Sequence, residues 1–137
     1  MEVVMATFVL AFAIATSIIV MQSGFKSLDV ARSTTLASQV LQSEMERLRL
    51  MSWSEIDALT GSAAVDLSTV ITTDPTITSK FTLTRTVADV SGKVGEMKEI
   101  ILSVTFSTVD GRTLDRSFRT YYTNNGLYDY FYTVARS

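Results

Sequence analysis

An α+β fold is predicted. One long N-terminal helix of about residues 2–51 has a second half that packs on a small antiparallel sheet of three to four strands. Three observations predict it. Val3 to Met21 carries no charge and is almost wholly apolar. Phe25 to Met51 keeps helical spacing but confines its apolar residues to one stripe. From Phe81 onward the periodicity changes from helical to alternating.

The first element is the run VVMATFVLAFAIATSIIVM, nineteen residues from Val3 to Met21. As a helix it is about 28 Å long, close to a bilayer hydrocarbon core of roughly 30 Å. Because it is apolar on every face, it needs lipid or other apolar surfaces around it. A head of about 115 residues is too small to enclose such a helix. A transmembrane reading is therefore preferred over a buried core helix. A signal peptide fits poorly, because the first charge is the acidic Glu2 and helical periodicity continues beyond the run. A carboxylate at this edge needs a partner or exposure at the interface. It equally suits a solvated helix N-terminus, where the macrodipole favours an acid. The nearest basic residues, Lys26 and Arg32, follow the span, so the positive-inside rule read literally puts the C-terminal part in the cytoplasm.

The second element continues the first. No Pro precedes Pro75, and Gly24 is the only Gly before residue 61. Val30, Ala37, Leu41, Met45 and Leu48 form the stripe; Leu41, Met45 and Leu48 are expected to pack on the head. Arg32, Gln39, Glu46 and Arg49 fall largely on other faces, with Glu44–Arg47 and Glu46–Arg49 spaced for i,i+3 pairs. Residues 1–24 thus form a transmembrane or filament-core segment, and residues 25–137 a head that includes the amphipathic half of the helix. Residues 61–79, rich in Thr, Ser and Ala, read as a long connection with a short strand near Val70.

The remaining elements alternate. Phe81, Leu83 and Val87 share one face of a strand, and Ile100, Leu102, Val104 and Phe106 one face of the next. Leu114, Phe118 and Tyr122 share a face of a third. Between the last two, Asp110-Gly111 predicts a two-residue type I′ hairpin. Asn124-Asn125-Gly126 is a turn signal, and Leu127 to Val134 is a candidate further strand. Tyr121, Tyr122, Tyr128, Tyr130, Phe131 and Tyr132 are read as strand residues of high β propensity.

Composition narrows the function. The chain has 137 residues, a net charge of −2, no Cys and no His. These absences exclude disulfides, zinc–thiolate sites and Ser-His-Asp or Cys-His catalysis within the chain. No Lys/Arg cluster marks a nucleic-acid surface. The fourteen carboxylates show no metal-loop spacing, and no Gly-rich phosphate loop occurs. No enzyme, cofactor or metal is expected.

Glu2-Val3-Val4 opening an uncharged run, a helix ending in Glu46-Arg47-Leu48-Arg49, and a Thr-rich antiparallel sheet together resemble the type IV pilins and the pseudopilins of type II secretion, minor-pilin-like members above all. The likeness covers the whole chain in architecture and mainly residues 1–50 in sequence. It implies a structural subunit of an extracellular filament, a helical homopolymer of identical subunits stored in the inner membrane before assembly. It further implies prepilin peptidase and a pilus assembly machinery as partners, and Glu2, Val3, Val4, Phe8, Leu10, Phe12, Ile14 and Ile18 as assembly residues. In that family a basic leader is removed after a Gly, and the glutamate lies at the fifth mature position. Only Met1 precedes Glu2 here, so the resemblance places a leader, the cleavage Gly and three mature residues outside this sequence. A removed basic leader also resolves the orientation conflict. The glutamate would neutralise the N-terminal ammonium of a neighbouring subunit and set axial register. The family often places Gly and Pro about nine and seventeen residues after the glutamate; Ala11 and Ile19 stand here. A more continuous helix is expected, weakest at Thr16, Ser17 and Gly24. Two other readings stand beside a pilus subunit: a secretion pseudopilin, and a single-span membrane protein with a sensor or adhesin head.

Overall fold

The computed structural model describes residues 2–70 and 74–126, apart from the side chains of Glu2 and Thr76. Its spine is α1, Glu2–Arg49, a single helix of 48 residues and about 72 Å. It runs unbroken through Ala11, Ile19 and Gly24. The Thr16 hydroxyl bonds the carbonyls of Phe12 and Ala13, and Ser17 bonds that of Ala13, so both side chains turn back on the helix instead of outward.

The helix ends two residues earlier than periodicity alone predicts. The amides of Leu50 and Met51 bond three residues back, to Arg47 and Leu48, which tightens the last turn. Ser52 then caps α2, Trp53–Ala58, with its own amide donating to Glu55 at 2.7 Å.

The sheet has four antiparallel strands in sequence order: β1, Gly61–Val65; β2, Phe81–Asp89; β3, Met97–Ser107; β4, Thr113–Thr123. The fold class is therefore α+β, as the change of periodicity predicts. Register follows the pleat. Leu83 faces Val104, Val87 faces Ile100 and Phe81 faces Phe106, all on the buried face. The rings of Phe81 and Phe106 stand 5.5 Å apart.

Three expectations are corrected. The strand in the connection is Gly61–Val65, not a segment near Val70, which follows the 3₁₀ turn Leu67–Thr69. A short helix, α3, Pro75–Thr78, fills more of that connection. The β3–β4 hairpin is not a two-residue type I′ turn. The Gly111 amide bonds the Thr108 carbonyl and the Thr108 amide bonds the Arg112 carbonyl, and among these residues Gly111 alone has positive φ, +74°. That is the three-residue form, a type I turn closed by a left-handed glycine. The candidate strand Leu127 to Val134, with Tyr128, Tyr130, Phe131 and Tyr132, lies outside the described residues.

The core lies between one stripe of α1 and the inner face of the sheet. Ala37, Val40, Leu41, Met45 and Leu48 meet Leu83, Val87, Ile100, Leu102, Val104 and Phe106. Ile56 and Leu67 close it at the ends. Val30 is half-buried at the lower limit of the stripe. Below it, the helix leaves the head.

Candidate functional site

Twelve large apolar side chains between Val3 and Met21 are at least half exposed, from Ile18 at 50% to Val3 at 79%. They point in all directions around α1. The residues singled out for assembly lie here: Val3, Val4, Phe8, Leu10, Phe12, Ile14 and Ile18 are exposed, and the backbone of Glu2 opens the helix. Leu41, Met45 and Leu48 lie at the opposite end, buried against the sheet. The two sets are thus separated along one helix, one set facing outward and one facing the core. This helix is long and apolar enough to cross a membrane, and the apolar window is wholly unburied by the rest of the chain.

Where α1 leaves the head, two loops grip it. Asp29 accepts from Lys80 Nζ at 3.0 Å and from the Val109 amide at 3.1 Å. Lys80 precedes β2, and Val109 is the tip of the β3–β4 hairpin. The Lys80 hydrogen bond, then the Val109 amide, hold the Asp29 carboxyl below the usual carboxylate range. One turn lower, Lys26 pairs with Asp110 at 3.0 Å. Gln22, Phe25, Lys26 and Val109 line a shallow apolar notch at this junction.

At the upper end, three charged side chains are buried. Glu44 is fully buried, taking Arg47 at 2.7 Å through both oxygens and Arg85 at 3.3 Å. Lys98, 3% exposed, reaches Asp57 at 2.8 Å, Thr60 at 2.9 Å and Asp89 at 3.0 Å. The Asp57 hydrogen bond raises Lys98 above its ordinary pKa, outweighing desolvation, and Asp89 adds to it. The Glu44–Arg47 pair matches the spacing in the sequence, but its buried Glu44 also holds the buried Arg85 of β2, with Arg47 reaching in from the partly exposed side. The signal was present: Glu44 is three residues from Leu41, Arg85 lies between Leu83 and Val87 on the apolar parity, and Lys98 lies two before Ile100. A charge at an apolar position of the repeat marks a buried pair.

A groove between α1 and β4, lined by Gln42, Met45, Glu46 and Phe118, is open and chemically mixed. Among the described residues, no group of three acidic side chains suits a metal ion. The chain matches no protein-family model, no curated protein and no solved structure.

Proposed function

We propose that this chain is a structural subunit of a type IV pilus-like extracellular filament, not an enzyme. It is stored in the inner membrane through its apolar helix and polymerises by packing that helix against those of identical subunits. Prepilin peptidase and a pilus assembly machinery are the partners this reading implies.

One observation carries the proposal. The same unbroken helix is exposed and apolar on every face below residue 22 and is the core spine of the head above residue 33. Twelve side chains at about 1.5–3 kcal/mol each leave tens of kcal/mol of apolar burial unused in the isolated chain. Lipid or neighbouring helices must supply it. The continuity favours a polymer over a tethered sensor. A tether needs only a flexible link, whereas a helical lattice fixes each head relative to its helix. Here that relation is fixed by the absence of any break and by the Lys26–Asp110 and Asp29–Lys80 pairs at the junction.

Electron microscopy of native material tests it. Filaments a few nanometres wide, built mainly of this chain, are the expected result. Monomers or small detergent complexes alone overturn the homopolymer and leave a membrane-anchored head.

A further inference from the structure

β4 is the last strand of the sheet, and among the described residues no strand pairs with its outer edge. The ladder to β3 shows what that edge presents. At one end the Thr108 amide bonds the Arg112 carbonyl, and at the other the Asn124 amide bonds the Glu96 carbonyl. In the antiparallel register between these two pairs, the even-numbered residues of β4 bond β3. The N–H and C=O groups of Asp115, Ser117, Arg119, Tyr121 and Thr123 therefore point outward, away from β3.

The inner face is open at the same edge. Phe118 faces Leu102 across the ladder, yet Phe118 is 38% exposed while Leu102 is fully buried. The groove beside it has Gln42, Met45, Glu46 and Arg49 of α1 on one side, and Phe118 and Thr120 of β4 on the other. A strand laid along β4 would cover Phe118 from this edge.

The chain itself turns to that side. After β4, the Gly126 amide donates to the Thr123 carbonyl at 3.1 Å, and that carbonyl is one of the outward groups. Asn125 has a positive φ of 55°. A Cβ on Gly126 would run into the Thr123 side chain and stand 3.0 Å from its carbonyl oxygen. The two-residue turn Asn124-Asn125 thus brings the chain back against the outer side of β4. Eleven residues follow Gly126, as many as β4 contains.

The sequence of that segment fits the edge. Counted from the Thr123–Gly126 pair, Leu127 falls opposite Tyr122, Asp129 opposite Thr120, Phe131 opposite Phe118 and Thr133 opposite Arg116. These positions belong to the inner face. Tyr128, Tyr130 and Tyr132 belong to the outer face, in line with Tyr121, Arg119 and Ser117. Aromatic and β-branched residues dominate the run, as a strand favours.

We propose that the outer edge of β4 is the docking site of Leu127 to Val134 of the same chain, antiparallel and in this register, with Phe131 over Phe118. Docking gives the outward groups of β4 their partners. It also closes the longer of the two open edges, eleven residues against five in β1, to strand addition by a neighbouring head. The outer face of the head then carries a row of three tyrosines beside Tyr121. This docking holds whether or not the chain forms filaments.

Amide hydrogen exchange of the full chain in detergent tests it. The Ser117, Arg119 and Tyr121 amides should exchange within about ten-fold of the Phe118 and Thr120 amides, which bond β3. Phe131→Asp should speed the first three at least about ten-fold and leave the other two unchanged. Ser117, Arg119 and Tyr121 exchanging at unprotected rates in the full chain would overturn the docking. The absence of cysteine allows a second measurement of register. Arg116→Cys with Thr133→Cys places two thiols on a close cross-strand pair, roughly 4.5 Å between Cα atoms, within disulfide reach. Arg116→Cys with Val134→Cys places them on opposite faces. Mild oxidation should close the first pair within one chain at least about ten-fold faster than the second. Equal rates would overturn the register. A 116–133 bridge formed between chains, or protection lost on dilution, would assign the edge to a second copy and overturn docking within one chain.

Discussion

Arg85 NH1 lies 3.3 Å from Glu44 Oε1 across the boundary between helix and sheet, and neither side chain is more than a tenth exposed. The pair joins residues 41 apart in sequence. Arg47 completes the triad from the helix side, and Arg85 Nε is buried without a partner among the described residues. Burying such a group is costly, and the attraction offsets it only while both partners are present. The triad therefore says more about where the helix sits on the sheet than about net stability. A slip of one turn along α1 would bury Arg85 against apolar stripe residues.

From this follows an asymmetry. Glu44→Ala leaves Arg85 buried and unpaired, so the head should lose about 3–5 kcal/mol. Glu44→Leu combined with Arg85→Leu should recover most of that, because no charge is stranded. Urea unfolding followed by far-UV circular dichroism measures both. A Glu44→Ala loss below about 1 kcal/mol would show the triad to be solvated in solution.

Lys98 gives the head an alkaline limit. Its folded pKa is raised above the ordinary lysine value, chiefly by Asp57 and further by Asp89. A raised value means that the charged form is favoured in the folded state. The contribution is complete below the unfolded lysine pKa and is lost as pH rises through the folded one. Thermal unfolding should therefore fall above about pH 10.4. Lys98→Met should abolish that dependence and lower stability by roughly 1–3 kcal/mol at neutral pH, since Asp57 and Asp89 lose their shared donor.

At the junction the sign is reversed. Asp29 is held below the carboxylate range, so its contribution is present above the unfolded value near 3.8 and is lost as pH falls through the folded one. The Val109 amide resonance should report this, titrating below the usual carboxylate range. In Asp29→Asn the titration should vanish, and Val109 amide exchange should quicken roughly five- to ten-fold. The core stripe begins above this point, so little change in head unfolding is expected.

How far these features were legible depends on what each side chain does in the unfolded chain's own pattern. Leu41, Met45 and Leu48 repeat at helical spacing, and Leu83, Val87, Leu102 and Val104 alternate, so the two faces of the core are readable before any pairing is known. β1 was not readable. Gly61-Ser62-Ala63-Ala64-Val65 has almost no large side chain, and its strand geometry comes from pairing with β2 from Val87 to Leu83. The hairpin was half readable. Gly111 marks the turn, but loop length depends on where β3 and β4 stop pairing, at Ser107 and Thr113. The apolar span needed no structure. The junction notch did, because Val109 and Phe25, which line it, are 84 residues apart in the chain.

Glu2 bears on the filament proposal most directly. If its carboxylate meets a neighbouring N-terminal ammonium in an apolar filament core, removing it strands the ammonium. Glu2→Ala should insert in the membrane at the normal level and yield at least about ten-fold fewer filaments, a factor that corresponds to 1.4 kcal/mol per subunit addition. Surface filament yield against membrane-bound pool separates the two effects. Normal filaments in this variant would count against the pairing.

The head should fold without the span. No side chain from Val3 to Leu28 is buried; where this segment meets the head, Lys26 pairs with Asp110, and Gln22, Phe25 and Lys26 line the notch beside Val109. The cluster that closes the core begins at Ala37. Removing residues 1–24 takes away exposed apolar surface and no core contact, which removes a cause of aggregation without touching the helix–sheet packing. A chain of residues 25–137 should therefore be monomeric in water and unfold cooperatively. Its midpoint should lie within about 4 °C of the full chain in detergent, the shift that roughly 1 kcal/mol gives in a domain of this size. Sedimentation and thermal circular dichroism check both. A molten or aggregated fragment would mean that the apolar half of α1 supports the head through contacts outside the described residues. The division of the helix into a free half and a packed half would then fail.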